Sequence, residues 1–467
     1  LLKESNLKNI FAYMGILLEI FAVFLVLPII VAIMYGGPVV PFLVPTVVSL
    51  FLGVMLDKYF TRGRLNLNDG LSLTAITFLL FSIIGSIPYL YTFTGTSGAF
   101  ILDSFFEAMS GFTTTGLTVI EDTSAIPKSI LFWRSETQWL GGIGIIIIFL
   151  SILSRLRTSS TSLYEAQGYT ERLEPTIMHT ARRMMKIYLT YSMLGVALLY
   201  LSGLGAFESV TTMFSSISTG GFIVRGDIFS TAGDATLAVI CVLMLIGSIN
   251  FMIHDKIFKR RIKDALANVE VQSMALMILV SSLVLYVLTS GMKISIFETI
   301  SAITATGFTL EDVSMFPTPV LLVLIMLMYV GSSSGSTAGG IKQMRFIVSL
   351  KAIPWTIRRM SSPACAIVPF KIHGAVIDEK TIRLTGTVIF TYTVALVVGT
   401  MVLVFCGYTP MESFFQVTSA QGTVGMNIID IASASVIAKI TLIFNMLLGR
   451  LEIFPILILG YNIFRRD

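Results

Sequence analysis

The sequence predicts an all-α polytopic membrane protein, and three observations carry that class. Hydrophobic residues make up 55% of the 467 and charged residues only 13%, about half the charged share of a soluble domain. The apolar residues gather into runs of about 20, the length at which a helix crosses the hydrocarbon core. One short Ser/Thr/Gly pattern returns four times, at intervals of roughly a hundred residues, too long for solenoid or propeller repeats.

Ten transmembrane helices are expected, at 10–35, 39–56, 71–92, 130–154, 184–204, 235–255, 271–290, 318–341, 384–406 and 438–464. The first holds Pro28, is long and has no small-residue cleavage site, so it reads as an anchor rather than a cleaved signal. Residues 1–60 form an N-terminal two-helix hairpin without the repeated pattern. The units 65–155, 182–258, 268–350 and 381–467 each read as span, short helix, Thr/Gly loop, span. The short helices, 98–112, 206–217, 293–304 and 409–420, cannot cross a bilayer and are expected as re-entrant half-helices. Asp103, Glu107, Glu208, Glu298 and Glu412 lie near their starts. Irregular backbone at membrane depth persists only where protein shields it or it lines water. Four such loops on one axis meet that condition together.

Of the 32 Lys and Arg, only Lys128, Arg134, Arg225, Lys293, Lys439 and Arg450 lie outside the two ends and the segments 57–64, 155–186, 256–263 and 342–383. The positive-inside rule makes those segments and both termini cytoplasmic. The net charge of +5 is thus a topology signal, and nucleic acid is not an expected partner. Cys241, Cys365 and Cys406 are far apart and give neither a disulfide framework nor a metal spacing.

The repeated pattern reads Ser110-Gly-Phe-Thr-Thr-Thr-Gly116, Ser215-Ser-Ile-Ser-Thr-Gly-Gly221, Ser301-Ala-Ile-Thr-Ala-Thr-Gly307 and Ser419-Ala-Gln-Gly-Thr-Val-Gly425, each followed by an apolar residue. K⁺ gives up its hydration shell where rings of backbone carbonyls replace it, and glycine permits the dihedrals that turn successive carbonyls inward. A half-helix ending at each loop points its partial negative charge to the centre, which favours a cation. This is the arrangement of an ion-selectivity filter.

Below the third loop, Gly331 to Gly340 places ten small residues, four of them glycine, after an apolar run. Such a stretch breaks the span. It reads either as a flexible intramembrane gate, with Gly331, Ser334, Gly335, Ser336, Thr337, Gly339 and Gly340 as its residues, or as a small-residue face for close helix packing. Arg450 stands eleven residues after Lys439; with Lys439 at the outer interface it falls near mid-membrane, where an arginine marks a functional site. It reads as a positive barrier lining the cavity, or as a structural partner of Glu452 or a neighbouring carbonyl. Arg134 and Glu136 either tie the filter scaffold together or serve as snorkelling charges beside an interfacial Trp. Gly335 to Lys342 fails as a phosphate loop because Gly340-Ile341-Lys342-Gln343 stands where Gly-Lys-Ser/Thr is required. Gly331 to Gly335 fits a serine-nucleophile pattern, but His179, His254 and His373 all fall in or beside predicted cytoplasmic segments, so an intramembrane protease lacks its base. A coupled secondary transporter, with broken helices framing a midplane site, is the alternative to a pore.

These residues resemble the Trk/Ktr/HKT superfamily of K⁺ transporters over nearly the whole chain, through Gly111 to Gly116, Phe132 to Gly142, Ser218 to Phe222, Ala305 to Phe308, Gly335 to Lys342, Gly422 to Gly425 and Leu448 to Glu452. The extra hairpin makes the chain more similar to the Trk branch. The resemblance implies filter glycines at Gly116, Gly221, Gly307 and Gly425, with coordinating carbonyls from Thr114 and Thr115, Thr219 and Gly220, Ala305 and Thr306, and Thr423 and Val424. It implies the gate at 331–340, the cavity role of Arg450, and K⁺ (and Rb⁺) as permeating ion rather than cofactor. It also implies a homodimer in a prokaryotic cell membrane and a cytosolic nucleotide-binding regulatory ring docked on segments 155–183 and 342–383, with nucleotide bound only by that ring. Gln421 and Glu136 depart from the apolar or aromatic residues expected there. All four filter positions are glycine, which implies K⁺ preference over Na⁺, since a serine at the first weakens it in some relatives. No enzymatic activity is expected.

Overall fold

The computed structural model describes residues 4–61, 63, 65, 67–94, 98–153, 177–363 and 366–464. Most of these are helical; the strands among them are one antiparallel pair, β1 (Lys371–Ile372) and β2 (Ala375–Val376), with Lys371 opposite Val376.

The hairpin comprises α1 (Glu4–Phe24), α2 (Val26–Tyr35) and α3 (Val40–Tyr59). The break at Leu25 puts Pro28 in the first turn of α2, where a missing N–H costs nothing, and Gly36 closes α2 in a left-handed cap. The α1 and α3 backbones meet at glycines: a Cβ on Gly15 would touch the Gly53 carbonyl, and one on Gly53 the Gly15 carbonyl.

Each of the four units then supplies a long helix, a short one and a second long or broken one. The first has α4 (Leu67–Gly85), α5 (Ile87–Phe93), α6 (Phe100–Phe112) and α7 (Lys128–Leu153); the second α8 (Ile177–Leu201), α9 (Ala206–Ile217), α10 (Asp234–Ser248) and α11 (Phe251–Phe258). The third has α12 (Val269–Thr289), α13 (Met292–Ile303), α14 (Thr318–Val330) and α15 (Gln343–Met360); the fourth α16 (Glu379–Phe405), α17 (Pro410–Gln421), α18 (Val436–Arg450) and α19 (Phe454–Phe464). Local capping sets several starts: Asn268 for α12, Asp378 for α16, Ser435 for α18, and a reciprocal Thr409/Glu412 box for α17.

The units close on themselves. The second helix of each packs on the short helix of the next: α7 on α9, α10 on α13, α14 on α17, and α18 back on α6. A buried ion pair, Lys439 Nζ to Asp103 Oδ1 at 2.6 Å, fastens that last junction. Lys439 is buried within the protein, at 3% exposure.

Among the described residues six helices are long and apolar enough to span a membrane, or eight if two sharply bent pairs are each one span. The differences from ten continuous spans are physical. The expected span 235–255 turns by 109° between α10 and α11, where Asn250 caps the new helix by accepting from Met252 N–H; 438–464 turns by 107° after Arg450. The helix expected over 318–341 stops at Val330, because the left-handed Gly331 cannot continue it. The span expected over 130–154 is the helix α7, whose side chains are described as far as Gly142.

Overpacking the hairpin tests its glycine contact. Gly15→Val is expected to destabilise the detergent-solubilised protein by about 1–3 kcal/mol, read as a lowered thermal midpoint.

Candidate functional site

The four loops after α6, α9, α13 and α17 have one backbone. Thr115, Gly220, Thr306 and Val424 donate their N–H groups to the carbonyls of Ser110, Ser215, Ser301 and Ser419 at 2.8–3.0 Å. One residue earlier, Thr114, Thr219, Ala305 and Thr423 all sit at φ 50–55°, and the loop-ending Gly116, Gly221, Gly307 and Gly425 lie at φ 80–95°. Left-handed threonine and alanine are costly, so a fourfold occurrence reflects one imposed geometry.

All twelve sequence-predicted loop residues come together in a closed ring. A Cβ added to Gly116 would strike the carbonyl oxygen of Gly220; on Gly221 that of Thr306; on Gly307 that of Val424; and on Gly425 that of Thr115. Each glycine thus lies against the carbonyl of the next loop, and the fourth contact returns to the first. Close backing is repeated as well. Gly141, Gly247 and Gly449 admit the carbonyls of Phe112, Ile217 and Gln421, while Ser332 Oγ donates to Ile303 O at 2.6 Å. The C-terminal ends of the short helices, with their partial negative charge, therefore converge on the ring.

Side chains clamp the loops from outside. Glu107 accepts from Val119 N–H (3.1 Å), Glu298 from Leu310 N–H (2.8 Å) and Gln416 from Ile428 N–H (3.3 Å); each stands nine residues before its loop glycine. Arg134, fully buried, donates to Glu107 Oε1 (2.7 Å), Thr118 Oγ1 (3.0 Å) and the Ile223 carbonyl (3.0 Å), and its guanidinium lies 4.2 Å from the Phe222 ring centroid. It joins loops 1 and 2. Glu136 is buried and makes no hydrogen bond, so of this pair only Arg134 ties the scaffold. Gln421 turns away to the Tyr392 carbonyl at 2.8 Å.

The stretch 331–340 is buried and pinned rather than loose. Ser333 and Thr337 N–H donate to the Ser248 and Gly247 carbonyls freed where α10 ends, Ser334 N–H donates to Glu270 Oε1 at 3.0 Å, and Gln343 Nε2 donates to Gly331 O at 3.0 Å. Thr337 Oγ1 lies 3.2 Å from Thr219 Oγ1 in loop 2, and a Cβ on Gly339 would meet the Gly422 carbonyl beside loop 4. Lys342 Nζ donates to the Ala338 carbonyl. Arg450, at the end of α18, donates to the carbonyls of Thr337 and, at 2.7 Å, of Gly141. Glu452 is not its hydrogen-bond partner: that carboxylate pairs with Arg345 at 2.6 Å, because the bend after Arg450 swings it toward α15.

Acidic residues four to six positions past each ring glycine, Glu121 and Asp122, Asp227, Glu311 and Asp312, and Asp430, are exposed on the connecting loops. Only comparison of the four repeats with one another would have found them. Asp122 accepts from the N–H and Oγ of Ser124, which hold its carboxyl below the usual carboxylate range. Among the described residues Ser333 Oγ, the central serine of the nucleophile pattern, has no hydrogen-bond partner, and His254 is bound to the Ile246 carbonyl and Tyr191 Oη. The described residues hold no group of His, Cys, Asp and Glu suited to a metal.

A family model described as a cation transport protein, TrkH, matches residues 47–292 and 286–464. The chain belongs to the TrkH family. It is similar to an uncharacterised cation transporter of Methanocaldococcus jannaschii, 31% identical over 98% of this chain and 96% of that one. It is also similar to the Trk system potassium uptake protein TrkG of Escherichia coli, 27% identical over the whole of both. Its fold matches the crystal structure of the potassium transporter TrkH from Vibrio parahaemolyticus with a TM-score of 0.86 and 27% identity, covering 98% of this chain and 100% of the other. As a TrkH-family chain it is a multi-pass membrane protein of a transport family, not an enzyme.

Removing one partner of the buried pair tests the clamps. Glu107→Ala is expected to destabilise by about 3–5 kcal/mol, since it leaves Arg134 charged and unpaired. Glu298→Gln, at the equivalent position without a basic partner among the described residues, is expected to cost about 1 kcal/mol or less. Thermal unfolding of both variants in detergent checks the contrast.

Proposed function

We propose that the chain passes K⁺, and Rb⁺, down its electrochemical gradient across a prokaryotic cell membrane through the ring closed by Gly116, Gly221, Gly307 and Gly425. The observation that carries this reading is the four-way contact of each glycine with the next loop's carbonyl. Such a contact stacks backbone oxygens around one axis, the chemistry that replaces K⁺ hydration. The pairs Thr114 and Thr115, Thr219 and Gly220, Ala305 and Thr306, and Thr423 and Val424 would supply those oxygens. Helix C-termini beneath them and acids on the outer loops favour cations over anions. That the Escherichia coli relative is a potassium uptake protein and the Vibrio parahaemolyticus one a potassium transporter supports K⁺ as the ion.

In this reading residues 1–60 are an accessory hairpin, and 65–155, 182–258, 268–350 and 381–467 are pore repeats. Their short helices re-enter from the outer face, giving ten crossings with both termini cytoplasmic. The stretch 331–340 is the gate. It sits against loops 2 and 4 and is held by Arg450, so Arg450 is at once a latch and the positive charge beneath the filter. A regulatory ring that binds nucleotide would act from the cytoplasmic side through 342–383 and 155–183, the latter described only from residue 177. The unit would be a homodimer with one pore per chain.

Flux of K⁺, Rb⁺, Na⁺ and Li⁺ into liposomes holding the purified protein tests the reading. K⁺ and Rb⁺ are expected to exceed Na⁺, and Gly116→Ser, which pushes a side chain onto the Gly220 carbonyl, is expected to erase most of that preference. Equal flux of all four would leave a pore without K⁺ selection; no flux, with partner and nucleotide supplied, would favour a coupled transporter. Arg450→Ala, which frees the Thr337 carbonyl, is expected to raise basal K⁺ flux about tenfold or more in the same assay, the effect of losing one charged hydrogen bond.

A further inference from the structure

Loop 2 alone carries a glycine, Gly220, directly before its ring glycine; the other loops have Thr115, Thr306 and Val424 there. Those three brace themselves. Thr115 shares a hydrogen bond with Thr113, and Thr306 with Thr304, both at 2.8 Å. In loop 4, Ser419 Oγ accepts from Gly425 N–H and donates to Met426 O. Loop 2 has neither pairing: Ser218 Oγ turns back to Phe214 O, Ser215 Oγ has no hydrogen-bond partner, and Thr219 Oγ1 bonds the Ser218 carbonyl and Thr337 Oγ1 instead.

Its brace comes from another unit. Gln138 of α7, fully buried, donates from Nε2 to the Gly220 carbonyl at 2.5 Å and accepts the Phe222 N–H on Oε1 at 3.1 Å. These two bonds fix the orientation of the amide and grip the loop on both sides of Gly221. The backbone of Gly220 is not left-handed, so conformation does not require glycine there. What does is space: the three atoms nearest a Cβ built on Gly220 all belong to the Gln138 side chain.

Two other quarters of the ring fill that place differently. Gln138 stands three residues before Gly141, and Met244 and Met446 stand three before Gly247 and Gly449, the glycines that back the short helices in the same manner. Both methionines are fully buried, Met446 in one core with Leu117 after loop 1 and Met244 in one core with Phe308 after loop 3. Where a methionine holds that helix position, the next loop carries threonine. Where Gln138 faces it, the loop carries glycine.

We propose that Gln138 is a positioning residue for ion selection: its carboxamide holds the Gly220 carbonyl at the ring, and Gly220 is glycine to admit it. This rests on the ring being the filter. The full-length protein in liposomes, with the K⁺ over Na⁺ permeability ratio read from reversal potentials, tests it. Gln138→Met and Gly220→Thr are each expected to lower the ratio about tenfold, the scale of one buried hydrogen bond. The double variant, which rebuilds the pairing of loops 1 and 3, is expected to recover most of it, since touching residues are non-additive. Gln138→Ala, read the same way, stands in if Gln138→Met does not assemble. An unchanged ratio in Gln138→Met, or a double variant no better than the worse single one, overturns the proposal provided Gly116→Ser does lower the ratio. If Gly116→Ser leaves the ratio unchanged, the filter reading itself fails and the proposal with it.

Discussion

Four backbone contacts, each between a glycine α-carbon and a neighbouring loop's carbonyl oxygen, set the terms for the rest of this molecule. They need the left-handed dihedral that glycine adopts freely and the absence of a side chain at one and the same atom. Because the contacts form a cycle, no loop moves without displacing two others. The surrounding architecture holds four chain segments at that separation. The glycines of α7, α10 and α18 let helices approach the ends of their own unit's short helices, and Arg134 and the Lys439–Asp103 pair lock neighbouring units together. Both ion pairs are buried, so their worth lies less in net stability than in fixing one register.

The same economy of backbone groups explains the broken helices. α10 ends at Ser248 with unsatisfied carbonyls, and the irregular stretch 331–340 supplies donors to them. Arg450 does likewise for the carbonyls of Thr337 and Gly141. Irregular backbone buried inside the protein is stable because each defect satisfies another.

Much of this was legible in the sequence because it is written locally. The Ser-to-Gly pattern, the apolar runs and the acids near the short helices placed α6, α9, α13 and α17 within about two residues of where they lie. The bends after Ser248 and Arg450 were not legible: hydropathy continues through both, and Asn250 as a cap looks like any polar residue in a run. Nor were the partners of Glu452 and Lys439, whose salt bridges reach Arg345 and Asp103 across the chain, since sequence spacing says nothing about which units close on one another. Glu107, Glu298 and Gln416 lay between. Their common offset from the loop glycine was present in the letters, but its meaning depended on knowing that the N–H three residues past the glycine needed an acceptor.

The closure of the ring by a single polypeptide has an evolutionary consequence. In an assembly of four identical subunits every substitution falls on all quarters at once, so a change that helps one position must be tolerated at three more. Here Gly220 and Gln138 can differ from Thr115 and Met446 because they are encoded separately. Symmetry of the backbone is kept while symmetry of the side chains is free to lapse, and each quarter can be adjusted alone, one codon at a time, without forfeiting the ring.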